Sequence, residues 1–251
     1  MIRSMSNLFR AIFGPMPLKE FKDYEEYWEQ RKPESSSGTP TTETLHRHLS
    51  IGKKIPPGSS VLDVGCGRGD FLRHLKGLDL DFTLYGLDLS STAIKELQKS
   101  GIEGSSIDPS RKLREQVQGN FDYIVMMEVI EHVHEAEEFV RQTLDFSPKS
   151  VFITIPNAGY IIHRLRLMFG GRFPVTFILM HMKEHIRFWT VKDFYQWAGH
   201  VGLKCIHHEG QEKGTRNPLR LFLIRHFPSL FAAQMIYKLV VLQPPLESKK
   251  L

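Results

Sequence analysis

The stretch Val61-Leu62-Asp63-Val64-Gly65-Cys66-Gly67-Arg68-Gly69-Asp70 decides the fold of this chain. A short apolar run ends at Asp63, and three glycines at alternate positions follow before a helical pattern begins at Phe71. Glycine lets the backbone turn sharply and approach a ligand closely, because it has no Cβ. A helix that begins beside such a turn points its unpaired N–H groups into the same space. The stretch therefore predicts a strand, a glycine loop and a helix that form a nucleotide site.

The spacing of these glycines excludes two common phosphate sites. Nothing matches the third glycine of a G-x-G-x-x-G dinucleotide site, and no lysine follows as in a G-x-x-x-x-G-K-[ST] loop. An acid at a strand end beside a loop of small residues suits a ligand with a cationic amino-acid tail instead.

Short apolar runs alternate with helical patterns along most of the chain. The expected strands span about 60–64, 82–88, 102–107, 123–127, 150–155, 203–208 and 234–242. This alternation predicts an α/β fold: a Rossmann-like, seven-stranded, mostly parallel sheet with helices on both faces and an antiparallel last strand. Ligands of such sheets bind at the carboxyl ends of the strands.

The terminal segments depart from this alternation. Residues 1–41 are expected to form an N-terminal arm and an aromatic helix over about 18–32, which is either a lid over the cofactor or a packed surface helix. Residues 42–251 form the main domain, with a cap insert at about 157–186 over the substrate and a C-terminal excursion at about 210–231. The excursion mixes arginines with apolar residues, as is typical of a lipid-facing segment. The alternative is packing against the domain's own surface.

Composition sets broad limits on the location and partners of the chain. The 251 residues carry a formal charge of +5 and only two cysteines, Cys66 and Cys205, which argues against a disulfide framework and for a reducing, cytoplasmic location. The sequence has no apolar run of 18 residues. The mild basic charge permits, without requiring, an acidic partner or peripheral contact with the inner membrane.

The stretch 61–69 resembles the first motif of class I S-adenosylmethionine-dependent methyltransferases. The resemblance implies that Asp63 meets the amino group of the cofactor, Asp88 the ribose hydroxyls and Asp108 the adenine amino group. The full set of implied cofactor-binding residues is Asp63, Gly65, Cys66, Gly67, Asp88, Leu89, Asp108 and Glu128. Three of them have structural alternatives: Asp88 as a helix N-cap, Asp108 as part of an Asp-Pro turn, and Cys66 as a small residue that fills a tight loop.

A second cluster, Glu128-Val-Ile-Glu131-His132, follows the fourth strand. If a helical turn begins at Glu128, its three polar side chains share one face and can hold Mg²⁺ or Mn²⁺. The segment is similar to that of ubiquinone-biosynthesis O-methyltransferases and of small-RNA 3′-terminal 2′-O-methyltransferases. The second resemblance implies His185 as a fourth ligand, because it precedes Phe188-Trp189-Thr190. Without a metal, His132 or His185 is the expected general base, and both are our catalytic candidates.

Residues 155–176 also resemble MetW-type proteins of methionine biosynthesis, some of which act beside an acyltransferase. Together these features predict a methyltransferase whose acceptor is a hydroxyl of a small or lipid-linked molecule. Two alternatives stay open: an RNA 2′-O-methyltransferase, for which the arginines offer only a partial basic groove, and a non-catalytic partner subunit of a biosynthetic enzyme.

Overall fold

The computed structural model describes residues 2–15, 42–173, 185–212, 215 and 217–242, and its centre is one seven-stranded sheet. The strands are β1 Ser60–Val64, β2 Thr83–Asp88, β3 Glu103–Ser106, β4 Tyr123–Met127, β5 Ser150–Pro156, β6 Leu203–Gly210 and β7 Gln234–Val241. Their order across the sheet is β3-β2-β1-β4-β5-β7-β6. Strand β7 pairs antiparallel with both β5 and β6, and the other described pairs are parallel. The predicted Rossmann-like architecture is confirmed.

Helices cover both faces of this sheet. They are α1 Ile2–Phe13, α2 Thr42–Gly52, α3 Asp70–Lys76, α4 Ser91–Lys99, α5 Leu113–Gln116, α6 Ala136–Leu144, α7 Ile161–Gly170, α8 Val191–His200, α9 Pro218–His226 and α10 Pro228–Phe231. A 3₁₀ turn, Ile130–His132, follows β4.

The two hydrophobic cores follow from the alternation of side chains along the strands. Val61, Tyr123 and Val125 face one core, which α2, α3 and α4 close with residues such as Ile51, Phe71 and Leu97. The intervening strand residues face the other core, which α5, α6 and α8 close; its members include Leu62, Ile124, Met126, Leu113, Val140 and Phe194. Each fully buried large apolar side chain contributes about 1.5–3 kcal/mol.

The N-terminal arm is ordered over most of its described length. We expected an arm over residues 1–17 that was either loosely ordered or lay on the surface; residues 2–13 form helix α1, which packs on α7 of the cap insert, so the loosely ordered alternative is wrong there. The tertiary contact with α7 explains the difference, since short helices are stabilised mainly by packing. The expected lid helix at 18–32 and residues 174–184 of the cap lie outside the described residues.

Candidate active site at the carboxyl edge of the sheet

The glycine loop that follows β1 requires glycine for two reasons. Gly65 has a φ of 75°, a region that L side chains rarely adopt, and a Cβ there would lie 2.4 Å from Cγ2 of Val129. Gly67 also has a positive φ, of 55°. The loop thus keeps its backbone against the segment that follows β4, where the second polar cluster begins.

Asp63 is a buried carboxylate that has no hydrogen-bond partner among the described residues. Its side chain is 1% exposed, and neither Oδ1 nor Oδ2 is hydrogen-bonded. Burial, and then the charge of Asp88, raises the pKa of Asp63 to about 8. An ionised carboxylate in this position needs a cation, because an unpaired buried charge is costly. The site therefore fits the ammonium group of an amino-acid tail.

Arg47, on α2, is a residue that the sequence analysis missed. Its positive charge opposes the upward shift of the pKa of both Asp63 and Glu131, so it lies close enough to both carboxylates to interact with them electrostatically. Its Nε is buried without an acceptor among the described residues. An arginine held in this way can bind an anionic group such as a carboxylate. No motif marks Arg47 in the sequence, and only the packing of α2 brings it to the glycine loop.

Asp88 ends β2 and ties two backbone segments together. Its Oδ2 accepts a hydrogen bond from the Gly67 N–H at 2.8 Å, and its Oδ1 accepts one from the Ser90 N–H at 2.9 Å. The N-cap of α4 is Ser90, whose Oγ accepts from the Ala93 N–H. The carboxylate therefore fixes the glycine loop against the start of α4.

Three other predicted cofactor residues have different surroundings. Asp108 is exposed, and its Oδ1 accepts hydrogen bonds from the Ser110 N–H at 2.9 Å and the Ser110 Oγ at 2.6 Å, as in the Asp-Pro turn that we considered. Leu89 follows β2 with an exposed side chain. Cys66 is buried, and burial raises the pKa of its thiol well above the usual range, which fits a space-filling residue.

Three of the four predicted metal ligands lie together. Glu131, His132 and His185 each offer a ligand atom within 4.8 Å of the others. Glu131 is 1% exposed, neither of its carboxylate oxygens has a hydrogen-bond partner among the described residues, and burial raises its pKa well above the usual range. The rings of His132 and His185 meet edge to face with centroids 4.5 Å apart. One carboxylate and two imidazoles suit a divalent metal ion.

Backbone hydrogen bonds hold His185 in this cluster although it lies far along the chain. The Ile186 N–H donates to the Glu131 carbonyl at 3.0 Å, and Arg187 Nε donates to the Val133 carbonyl at 3.1 Å. Arg187 also forms an ion pair with Glu137 at the start of α6. The segment that begins at His185 is thus fixed on the 3₁₀ turn.

Glu128 is not on the helical turn that we expected. Its φ is 57°, so the chain bends sharply after β4, and its N–H donates to the Thr154 carbonyl of β5. Its side-chain oxygens accept hydrogen bonds from Thr154 Oγ1 at 3.0 Å and Gln234 Nε2 at 2.7 Å. The assumption of a shared helical face was wrong, and the carboxylate of Glu128 lies outside the group formed by Glu131, His132 and His185.

Comparison with known proteins assigns the family. A sequence profile described as "Methionine biosynthesis protein MetW" matches residues 46–239, which include strands β1 to β6 and most of β7. The chain belongs to the MetW family. A ubiquinone biosynthesis O-methyltransferase from Chromobacterium violaceum is 30% identical over 166 residues, covering 63% of this chain and 68% of that protein. A second one, from Albidiferax ferrireducens, is 32% identical over 43% of this chain and 50% of its own length.

Other similar proteins agree on the fold. A bifunctional methionine biosynthesis protein MetXA/MetW from Rhodopirellula baltica is 25% identical over 65% of this chain, which spans 26% of that protein. The methyltransferase domain of bacterial CtHen1 superposes with a TM-score of 0.57 at 18% identity, covering 80% of this chain and 100% of that one. The plantazolicin methyltransferase BpumL, in complex with SAH, superposes with a TM-score of 0.52 at 18% identity, covering 80% of this chain and 82% of that one. The MetW-family chain therefore has the fold of class I S-adenosylmethionine-dependent methyltransferases, and it spans about half the length of the relative from Albidiferax ferrireducens.

Proposed function

We propose that this protein transfers the methyl group of S-adenosylmethionine to a hydroxyl of a small or lipid-linked molecule. The observation that carries the proposal is the pair of buried carboxylates, Asp63 and Glu131, which have no hydrogen-bond partner among the described residues and which both interact electrostatically with Arg47. Two buried carboxylates without partners are costly unless cationic groups join them. A cofactor with an ammonium group and a divalent cation would satisfy one carboxylate each.

The residues around Asp63 fit the amino-acid end of the cofactor. Asp63 would accept hydrogen bonds from its ammonium group and Arg47 would donate to its carboxylate, while the backbone at Gly65 and Gly67 lets it approach. Asp88, which already accepts hydrogen bonds from two backbone N–H groups, would also accept hydrogen bonds from the ribose hydroxyls. When bound, S-adenosylmethionine supplies an electrophilic methyl group on a sulfonium.

The second cluster fits the acceptor. Glu131, His132 and His185 would hold a divalent cation such as Mg²⁺ or Mn²⁺, which lowers the pKa of a bound hydroxyl and orients it. In the absence of a metal, the imidazole of His132 or His185 would take the hydroxyl proton as the acceptor oxygen forms its bond to carbon and the carbon–sulfur bond breaks. The products are a methyl ether, S-adenosylhomocysteine and a proton.

A second candidate function is supported by one relative. The Rhodopirellula baltica protein carries the names MetXA and MetW in one chain. A role as a partner subunit of a biosynthetic enzyme, with cofactor binding but no methyl transfer, would follow from that association. The two candidates share the cofactor site and differ in whether an acceptor gains a methyl group.

Mass spectrometry with isotopically methyl-labelled cofactor separates these candidates. Cell extracts, fractionated into lipid, small-molecule and RNA pools, are incubated with the wild-type protein and with H185A. We expect a lipid or small-molecule species to gain the labelled methyl group with the wild type and much less of it with H185A. If the RNA pool gains the label instead, the acceptor is RNA and the proposed class of acceptor is wrong. Label in no pool, from protein that binds the cofactor by calorimetry, would contradict catalysis and favour the partner subunit.

A further inference from the structure

Helix α1 is fixed to the cap helix α7 by specific contacts. Arg166 of α7 is 3% exposed, and its Nη1 donates hydrogen bonds to the carbonyl of Ala11 at 2.8 Å and to that of Gly14 at 3.1 Å. A buried cation that binds the last carbonyls of a helix complements the negative end of the helix dipole. At the end of α7, a Cβ on Gly170 would lie 2.3 Å from the Ile12 carbonyl oxygen, so glycine allows the two backbones to meet.

The two helices and Phe173 expose several large apolar side chains, which we together call the α1–α7 face. Phe9 is 66% exposed and Met168 is 76% exposed, the two largest values among its members. The face consists of Leu8, Phe9, Phe13, Leu167, Met168, Phe169 and Phe173, all of which are exposed. Large apolar side chains that cluster on a surface mark an interaction site more often than scattered ones do.

The two segments that carry the α1–α7 face have charges of one sign. Residues 1–15 and 158–173 contain no aspartate or glutamate. Arg10, Arg164 and Arg172 are exposed in these segments. Aromatic and long aliphatic side chains flanked by arginines, with no acid among them, complement the anionic headgroups and acyl boundary of a bilayer. No helix in the described ranges has both the length and the apolarity to cross a membrane, so the contact would be at the surface.

We propose that the α1–α7 face docks this protein on an anionic lipid surface. Helix α7 begins five residues after β5 ends, so the helix that carries part of this face starts at the carboxyl edge of the sheet, where the candidate site lies. The C-terminal excursion, for which the sequence left open either lipid contact or packing on the domain's own surface, is a weaker candidate. Its helix α9 exposes Leu219 and Phe222, but Glu212 pairs with Arg225, and Ile224 is buried against the sheet.

Vesicle flotation of the full chain tests this proposal independently of methyl transfer. We compare phosphatidylcholine vesicles with vesicles of equal parts phosphatidylcholine and phosphatidylglycerol. The test variant is F9E/M168E, and the matched control is L78E/L80E, which replaces two apolar residues that are each 40% exposed near the start of β2, at the opposite edge of the sheet. A second test variant, R10Q/R172Q, changes only exposed charges.

The wild type and L78E/L80E are expected to float with the phosphatidylglycerol vesicles and much less with phosphatidylcholine alone. The bound fraction should fall about tenfold in F9E/M168E and several-fold in R10Q/R172Q, at unchanged thermal unfolding. Absence of wild-type binding, or equal binding by all variants, would overturn the proposal. The proposal would also be overturned if the wild type bound single-stranded RNA but not vesicles and F9E/M168E lost that RNA binding. The α1–α7 face would then be a nucleic-acid-binding surface.

Discussion

The rings of His132 and His185, 53 positions apart in the chain, meet edge to face with their centroids 4.5 Å apart beside the unpaired carboxylate of Glu131. An edge-to-face pair of imidazoles can be a packing contact. The absence of a hydrogen-bond donor to Glu131 within the described part of the chain argues for a cation, because burial without a partner is unfavourable for a carboxylate.

Metal binding at this cluster can be measured without activity. Titration calorimetry with Mn²⁺ should give one site in the wild type and no detectable site in E131Q or H185A, because each variant removes one of three ligands. The control is H134A, which removes a neighbouring exposed imidazole. Binding that survives both ligand variants would leave His132 and His185 as general bases only. The same conclusion would follow if the enzyme kept full turnover in EDTA.

The pH dependence of stability should report the state of Asp63. Its pKa is raised by burial and by Asp88 to about 8 in the folded protein, from a usual value of 3.8. Between these values the folded state binds a proton that the unfolded chain has released, so the free energy of unfolding falls as the pH rises. D63N removes the ionisable group and with it this fall in the free energy of unfolding. At pH 8 we expect D63N to be more stable than the wild type by about 2 kcal/mol or more, and near pH 4 we expect the two proteins to have similar stability.

Denaturant unfolding of ligand-free protein at several pH values gives these differences. The control is D145N, which alters an exposed carboxylate. A D63N variant that is less stable than the wild type at pH 8 would mean that Asp63 is ionised and paired in the free protein.

Arg47 should contribute to cofactor affinity. R47Q is expected to weaken binding of S-adenosylmethionine by about 10- to 100-fold, the usual effect of losing a charge-assisted hydrogen bond to a carboxylate. K53Q, at an exposed position just after the same helix, removes one positive charge outside the site. Calorimetry that finds equal affinities for R47Q and the wild type would exclude contact between Arg47 and the cofactor.

The anchoring of α1 depends on Arg166. R166M removes the donors to the carbonyls of Ala11 and Gly14, at a cost of about 1.5–3 kcal/mol for hydrogen bonds of a charged group. We expect trypsin to cleave after Arg10 much faster in R166M, while cofactor affinity stays unchanged. Mass spectrometry of timed digests measures the rate. R164M, which alters an exposed arginine two residues earlier whose Nε donates to the Gly159 carbonyl, is the control. Equal rates in both variants would show that other contacts hold α1.

Local patterns in the sequence predicted the sheet well. Strands β1 and β4 were expected at 60–64 and 123–127, and the structure has them there, because short apolar runs bounded by turn signals determine both ends. The antiparallel last strand was also predicted. The glycine loop and Asp63 were identified because the strand, the turn and the helix that build them are adjacent in the chain.

Features that depend on distant contacts were missed. Arg47 reaches the site only through the packing of α2, and α1 is ordered by Arg166, 155 positions from Ala11. Glu128 was placed on a helical turn because its spacing from Glu131 fits one. The hydrogen bonds to Thr154 and Gln234, on two other strands, instead accompany a left-handed backbone at that residue. Spacing alone cannot reveal such competing partners.

The most direct test of the account compares two ligands on one variant. Calorimetry measures the affinity of the wild type and of D63N for two ligands. They are S-adenosylhomocysteine and 5′-methylthioadenosine, which lacks the amino-acid tail. If Asp63 binds the ammonium group, D63N should lose about 10- to 100-fold in affinity for the first ligand and almost none for the second. Equal affinity of D63N and the wild type for S-adenosylhomocysteine, or an equal loss for both ligands, would contradict the assignment of the cofactor site.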